Sequence, residues 1–219
     1  MTILDMHNHS VASDDARARV DQYAKWLDML RRKGLAVDGF VLTEHRQFDS
    51  TVSYDDIAEQ HGLLIFNAAE LDTDAGHFLV YGVSEELKRR FDLSNVTIHA
   101  EDLIEVAEDT GGIAIPAHVG RFNIGLCEFL GEARPFERVR VVEHLNGGSS
   151  ALETERALAM MDGRFKGIAG SDAHFVNRIG RYLTRFHGRI AGIEDLVAAL
   201  HAWSFESMVV DQAAPVVEG

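Results

Sequence analysis

Short apolar runs alternate with amphipathic stretches along the chain. The spacing predicts strands over residues 3–6, 39–43, 63–69, 77–82, 112–116, 139–143 and 167–170, with 205–210 as a last candidate. Several runs are continuous rather than alternating, as in Val37-Asp38-Gly39-Phe40-Val41-Leu42 and Ile113-Ala114-Ile115. Such runs suit strands buried on both faces of a parallel sheet. Helical patterns lie between them, over residues 20–32, 100–110, 151–161 and 193–203. The first sets Tyr23, Trp26, Leu27 and Leu30 on one side and stops at Lys33-Gly34, a basic and glycine ending. Strand–helix alternation at this spacing implies β/α units with right-handed crossovers. No internal repeat or low-complexity linker interrupts it, so one domain over residues 1–212 is expected, followed by a loose tail over 213–219.

Composition changes this picture little. The 219 residues fit a single α/β barrel, and 46% hydrophobic with 26% charged residues is ordinary globular usage. The formal charge of −14 argues against a groove that tracks duplex nucleic acid. It leaves room for a small phosphorylated substrate, because a bound divalent metal inverts the local potential. Cys127 is the single cysteine, so no intrachain disulfide forms and a reducing, cytoplasmic setting is expected. The first residues lack the basic and apolar stretches of a leader, and no window approaches the ~20 apolar residues of a membrane span.

Candidate chemistry sits just after the expected strands. Asp5-Met6-His7-Asn8-His9 follows the first, then Ser13-Asp14-Asp15; Thr43-Glu44-His45 ends the second. Glu70 ends the third, Gly76-His77 opens the fourth, and Pro116-Ala117-His118 ends the fifth. Glu143 ends the sixth, and Gly170-Ser171-Asp172-Ala173-His174 the seventh. Barrel enzymes gather catalytic groups at the C-terminal ends of strands, so these segments should converge on one pocket. The period-2 geometry of extended chain puts His7 and His9 on one side, able to grip one metal, and Asp172 with His174 repeats the arrangement. Glu70 is a carboxylate able to bridge two metals. Six strand-end histidines (His7, His9, His45, His77, His118 and His174) would be costly to bury without a cation. His61, His99, His187 and His201 read as surface or cap residues, and His144 stands beside the site.

In order and residue type these motifs, with Glu143-x-x-Asn146, resemble those of the PHP (polymerase and histidinol phosphatase) superfamily, over residues 3–187. The resemblance implies a distorted seven-stranded (β/α)7 barrel, TIM-barrel-like, carrying two or three divalent ions of Zn, Mn or Fe. It implies that His7, His9, Glu70 and Asp172 hold one ion, Glu70, His77 and His118 a second, and Asp14, His45 and His174 a third. Asp14 is preferred to Asp15 because the family's Ser-Asp follows the first HxH at this spacing. Asp5 and Glu44 are expected to support the ligands from behind, and Glu143 either to do the same or to face the substrate. The chain departs from many members in having Glu44 where they carry aspartate.

The expected activity is metal-dependent hydrolysis of a small phosphate ester by a metal-activated water. Asp172 or His174 is placed to pass a proton, and Arg121 and Arg181 to clamp phosphate, with Arg46 as a third candidate. One alternative is an amidohydrolase-like enzyme cleaving a C–N or carboxylic ester bond. Another is a non-catalytic regulatory module stabilised by metal. Gly147-Gly148-Ser149-Ser150 reads as a turn or as an amide nest for an anion.

Overall fold

The computed structural model describes residues 1–130 and 136–210, so the expected tail at 213–219 lies outside the described residues. Nine strands form there: β1 (Thr2–Asp5), β2 (Gly39–His45), β3 (Leu64–Thr73), β4 (Gly76–Tyr81), β5 (Ile113–Pro116), β6 (Val141–Asn146), β7 (Lys166–Gly170), β8 (Tyr182–Phe186) and β9 (Phe205–Val209). Six α-helices accompany them: α1 (Val20–Arg32), α2 (Asp55–His61), α3 (Glu85–Arg90), α4 (Ala100–Asp109), α5 (Ala151–Ala159) and α6 (Ile193–His201).

The helices form where amphipathic spacing meets end signals. In α1, Val20, Tyr23, Ala24 and Leu27 are buried, Asp21 sits in the first turn, and Arg31 and Arg32 in the last, matching the helix dipole. In α5, Ser150 and Glu153 form a capping box. The Gly147–Ser150 run is therefore a turn that ends in a helix cap.

Seven strands make one curled sheet in the order β5-β4-β3-β2-β1-β8-β9, and β6 pairs with β7 in parallel. Hydrogen bonds seat this pair beside the larger sheet. The Val119 N–H after β5 donates to Glu143 O at 3.1 Å, and the Asp172 N–H after β7 donates to His7 O at 2.8 Å.

The result is an α/β domain in which the regular β/α alternation is interrupted. β1, β2 and β3 run parallel, but β3–β4, β4–β5, β1–β8 and β8–β9 are antiparallel. At β3–β4 the reason is length: only Asp74 and Ala75 separate the strands, and a hairpin connection permits no crossover. Gly76 opens β4 at φ 91°, where a Cβ would lie 2.1 Å from Ile124 O. β8 was not among the expected strands, and α2 and α3 were too short to register as helical patterns. No helix of the described residues is long and apolar enough to cross a membrane.

The interior is packed by Leu4, Met6, Val41, Leu79, Tyr81, Ile115 and Ile168. Tyr81 is fully buried, and its hydroxyl donates to Met6 O at 3.0 Å, just below the start of the histidine segment. This apolar layer lies beneath the polar cluster.

Candidate metal centre

Each strand end delivers its side chains to one place. The extended segment after β1 sets His7 and His9 side by side, with their Nε2 atoms 2.9 Å apart. Glu70, late in β3, reaches between the histidines with both carboxylate oxygens. Its Oε2 lies 3.2 Å from His7 Nε2, 3.2 Å from His9 Nε2 and 3.1 Å from His45 Nδ1. Its Oε1 lies 3.1 Å from His77 Nδ1 and 2.9 Å from His118 Nε2. Asp172 Oδ1 faces His7 Nε2 at 3.5 Å, His9 Nε2 at 3.3 Å and His174 Nδ1 at 3.6 Å.

Three sets of converging donor atoms result: His7, His9 and Asp172; Glu70, His77 and His118; and His9, His45 and His174. The donors are imidazole nitrogens and carboxylate oxygens, the chemistry that suits Zn, Mn or Fe. Their placement fits a cation better than mutual hydrogen bonding. His45 Nδ1 is buried and 3.1 Å from a Glu70 oxygen, yet it has no hydrogen-bond partner.

Electrostatics point the same way. Burial disfavours a proton on His7, but Glu143, Asp172 and Glu70 outweigh it and hold its pKa well above the usual range. Burial likewise opposes charge on His9, and Asp172 and Glu70 still lift its pKa to about 9. Burial pushes the Glu70 and Asp172 carboxyls up, yet the neighbouring histidines bring both well below their ordinary values. His118 behaves oppositely, because burial dominates and lowers its pKa. The pocket demands positive charge at its centre, and protons on His7 and His9 supply it when no cation does.

A second ring of residues fixes the ligands. Glu143 is fully buried, with both oxygens 3.1 Å from His7 Nδ1. It accepts from the His118 N–H at 2.7 Å and from Asn146 Nδ2 at 3.0 Å. A register shift at His144 makes this possible. Without that bulge, residues 143 and 146 would point to opposite faces of β6. Glu44 accepts from the Ser10 N–H at 3.0 Å and from Ser13 Oγ at 2.5 Å, and Ser13 Oγ accepts from the His45 N–H at 3.0 Å. Asp5 lies under the site and accepts from the Ser171 and Gly180 N–H groups at 2.9 and 2.8 Å; burial raises its pKa to about 6.

Backbone strain concentrates here too. Arg46, His118 and Asp172 adopt positive φ values of 53°, 30° and 49°. Non-glycine residues take this region at a cost, which neighbouring structure must sustain.

Other sequence candidates are placed differently. Asp14 is exposed and meets Arg46 at 3.4 Å, whereas Asp15 Oδ2 lies 3.1 Å from His174 Nε2 and 3.4 Å from His45 Nε2. The two aspartates follow each other in a bend, where spacing alone does not decide which turns inward. Arg121 Nη2 binds Asp172 Oδ2 at 2.8 Å and Asn146 Oδ1 at 2.9 Å. Gly148 makes room for this, since a Cβ there would lie 2.3 Å from that guanidinium nitrogen. The Arg181 N–H binds Ser171 Oγ at 3.0 Å, but its guanidinium donates to Asn177 O. Asp72 went unnoticed in the sequence; its Oδ1 is 3.6 Å from His77 Nε2. It stands two residues after Glu70 in β3, so the strand period that paired His7 with His9 also marks it. His144 turns to Ile168 O and His201 to Gly112 O, away from the cluster.

A family model described as PHP-associated matches residues 160–204, which span β7, the Asp172–His174 segment, β8 and α6. This match to one segment of the chain agrees with the resemblance to the PHP superfamily carried by the sequence motifs. No curated protein matches this chain in sequence. Among solved structures, PsfC from Pseudomonas syringae is similar at TM-score 0.68 and 20% identity, over 99% of this chain and 94% of its own. Endonuclease Q, bound to a 27-mer duplex with an abasic lesion at its active site, follows at TM-score 0.66 and 15% identity. That match covers 94% of this chain and 58% of the endonuclease. A protein from Bifidobacterium adolescentis, proposed to be a metal-dependent phosphoesterase, matches at TM-score 0.55 and 14% identity, over 78% of this chain and 87% of its own.

The endonuclease corrects one expectation. The charge of −14 speaks against duplex nucleic acid, yet a protein of this fold holds a duplex at its active site. Net charge sums the whole surface, whereas binding depends on the local field, which cations and a few arginines can reverse.

Proposed function

We propose that this protein is a metal-dependent phosphoesterase. In this reading His7, His9, Glu70 and Asp172 hold one divalent ion and Glu70, His77 and His118 a second. The observation that carries it is the division of Glu70, with Oε2 facing His7, His9 and His45 and Oε1 facing His77 and His118. Ions bound there would supply Lewis acidity, lowering the pKa of water and neutralising charge on an ester's oxygens.

The chain's own residues do the positioning. Glu143 holds His7 by Nδ1, so that Nε2 is the donor presented to the centre. Arg121 secures the second oxygen of Asp172 and leaves Oδ1 facing the histidines. The outer group of Asp15, His45 and His174 lies nearer solvent. A count of three ions per chain assigns this group to the third ion. A count of two leaves His174, held by Asp15, to return a proton to the leaving oxygen.

Glu70, rather than a carboxylated lysine, occupies the bridging place, which favours phosphate esters over the C–N bonds of the amidohydrolase reading. A non-catalytic module would need no such complete donor set. The test is a panel of phosphomonoesters, phosphodiesters and an abasic-site duplex, assayed with protein loaded with Zn, Mn or Fe. Turnover of at least one phosphoester, lost on chelation, is expected. Silence across the panel from fully loaded protein would refute the phosphoesterase reading.

A further inference from the structure

We propose that Arg46 receives the anionic group of the substrate, an assignment that rests on the phosphoesterase reading. Arg121, Arg181 and Arg46 are the phosphate-binding candidates that the sequence offers, and their existing commitments separate them. Arg121 is held at 2.8 and 2.9 Å by Asp172 and Asn146, with its side chain 22% exposed. Its charge is spent on a proposed ligand and on the residue that braces Glu143. Arg181 is committed to a backbone carbonyl, its guanidinium donating to Asn177 O at 3.0 Å, and its Nε is buried without a partner.

Arg46 differs in both backbone and side chain. It directly follows His45 in sequence, and its N–H donates to Glu70 O at 2.7 Å. Its φ of 53° is a strained value for a side-chain-bearing residue, so the main chain holds it in a conformation that a plain surface arginine does not need. The guanidinium spans two carboxylates, Asp72 through Nη1 and Asp14 through Nη2, each at 3.4 Å. Both contacts are long, the side chain is 33% exposed, and Asp14 is 76% exposed. The Asp14 pair is screened by solvent and contributes little, whereas the Asp72 side chain is only 16% exposed. Asp72 Oδ1 in turn lies 3.6 Å from His77 Nε2, which places the guanidinium one residue away from the Glu70–His77 half of the cluster.

An incoming phosphate offers Arg46 what Asp14 and Asp72 do not: two oxygens on one rigid group, matched to the guanidinium fork. Asp72 keeps the cation beside the centre, and the exposed Asp14 gives it up at small cost. Arg46 is thus a binding residue for the phosphoryl oxygens, and Arg121 a positioning residue for Asp172.

The experiment uses metal-loaded full-length protein and inorganic phosphate as probe. Binding is measured by titration calorimetry for the wild type, Arg46→Met and Arg46→Lys, beside metal content and steady-state kinetics on a phosphoester from the panel. Arg46→Met should weaken phosphate binding and raise KM by roughly 10–100-fold, the effect of losing one charged hydrogen-bonding partner. Metal content should stay unchanged and kcat within a few-fold; Arg46→Lys should recover part of the loss. Phosphate binding and KM within twofold of wild type in Arg46→Met would overturn the assignment while leaving the phosphoesterase reading intact. Loss of metal in Arg46→Met would also overturn it, since the residue would then be structural. A wild type that neither binds phosphate nor turns over any phosphoester would sink both.

Discussion

Glu143 stands behind His7, with both carboxylate oxygens 3.1 Å from Nδ1, while His7 Nε2 faces Glu70 at 3.2 Å. One buried acid thus sets the tautomer and ring angle of a proposed ligand. It also fixes the backbone of a second, through the His118 N–H at 2.7 Å. Glu143→Gln keeps the shape but removes the charge, and should weaken metal binding by about 10–100-fold. Competition with a chromophoric chelator would measure this. Wild-type affinity in Glu143→Gln would show that the acid only fills space.

Asp15 and Asp14 separate cleanly by mutation. Asp15 faces His45 and His174, whereas the Asp14 carboxylate meets Arg46 and its backbone oxygen accepts from Arg17. Asp15→Asn should therefore loosen His174 and lower turnover by about tenfold or more, in keeping with loss of a residue that holds a ligand or proton donor. Asp14→Asn should leave metal content unchanged. Metal analysis and kcat on the two variants check this, and the reverse pattern would restore the assignment made from spacing.

The metal-free protein should lose stability as pH rises. Burial opposes a proton on His9, but Asp172 and Glu70 lift its folded pKa to about 9, above the ordinary 6.5. A raised folded pKa gives stability that is fully present below the unfolded value and is lost as pH climbs through the folded one. The thermal midpoint of chelated protein should therefore fall between about pH 6.5 and 9. Loaded protein should lack this fall, and metal uptake near neutral pH should release protons. A flat midpoint for the chelated protein across that interval would contradict the charge balance described for the cluster.

Much of the site was legible because its geometry is local and periodic. His7-x-His9 is extended chain, so two residues of separation bring both rings to one side. Glu70 and Asp172 stood out as carboxylates at strand ends, where a curled sheet makes distant segments neighbours. What escaped depended on the loops. The choice between Asp14 and Asp15 turns on a bend with no periodicity. The capture of Arg121 by Asp172 depends on Gly148, which only coordinates reveal as a point of close approach. β8, Tyr182–Phe186, is a short run in which Leu183 and Thr184 are both buried, so it lacks a clean period-2 signal. The antiparallel turn from β3 to β4 follows from the two residues between them, which exclude a crossover helix. The exclusion of nucleic acid failed for another reason, since a total charge carries no position.

The most direct test of the central claim is a count of divalent metal per chain in the wild type and in Glu70→Ala. With Zn, Mn or Fe supplied and excess removed, the wild type should retain two or three ions. Glu70→Ala should lose at least one of them while keeping its circular dichroism. A wild type that retains no metal, or a Glu70→Ala protein that retains the full wild-type count, would contradict the account.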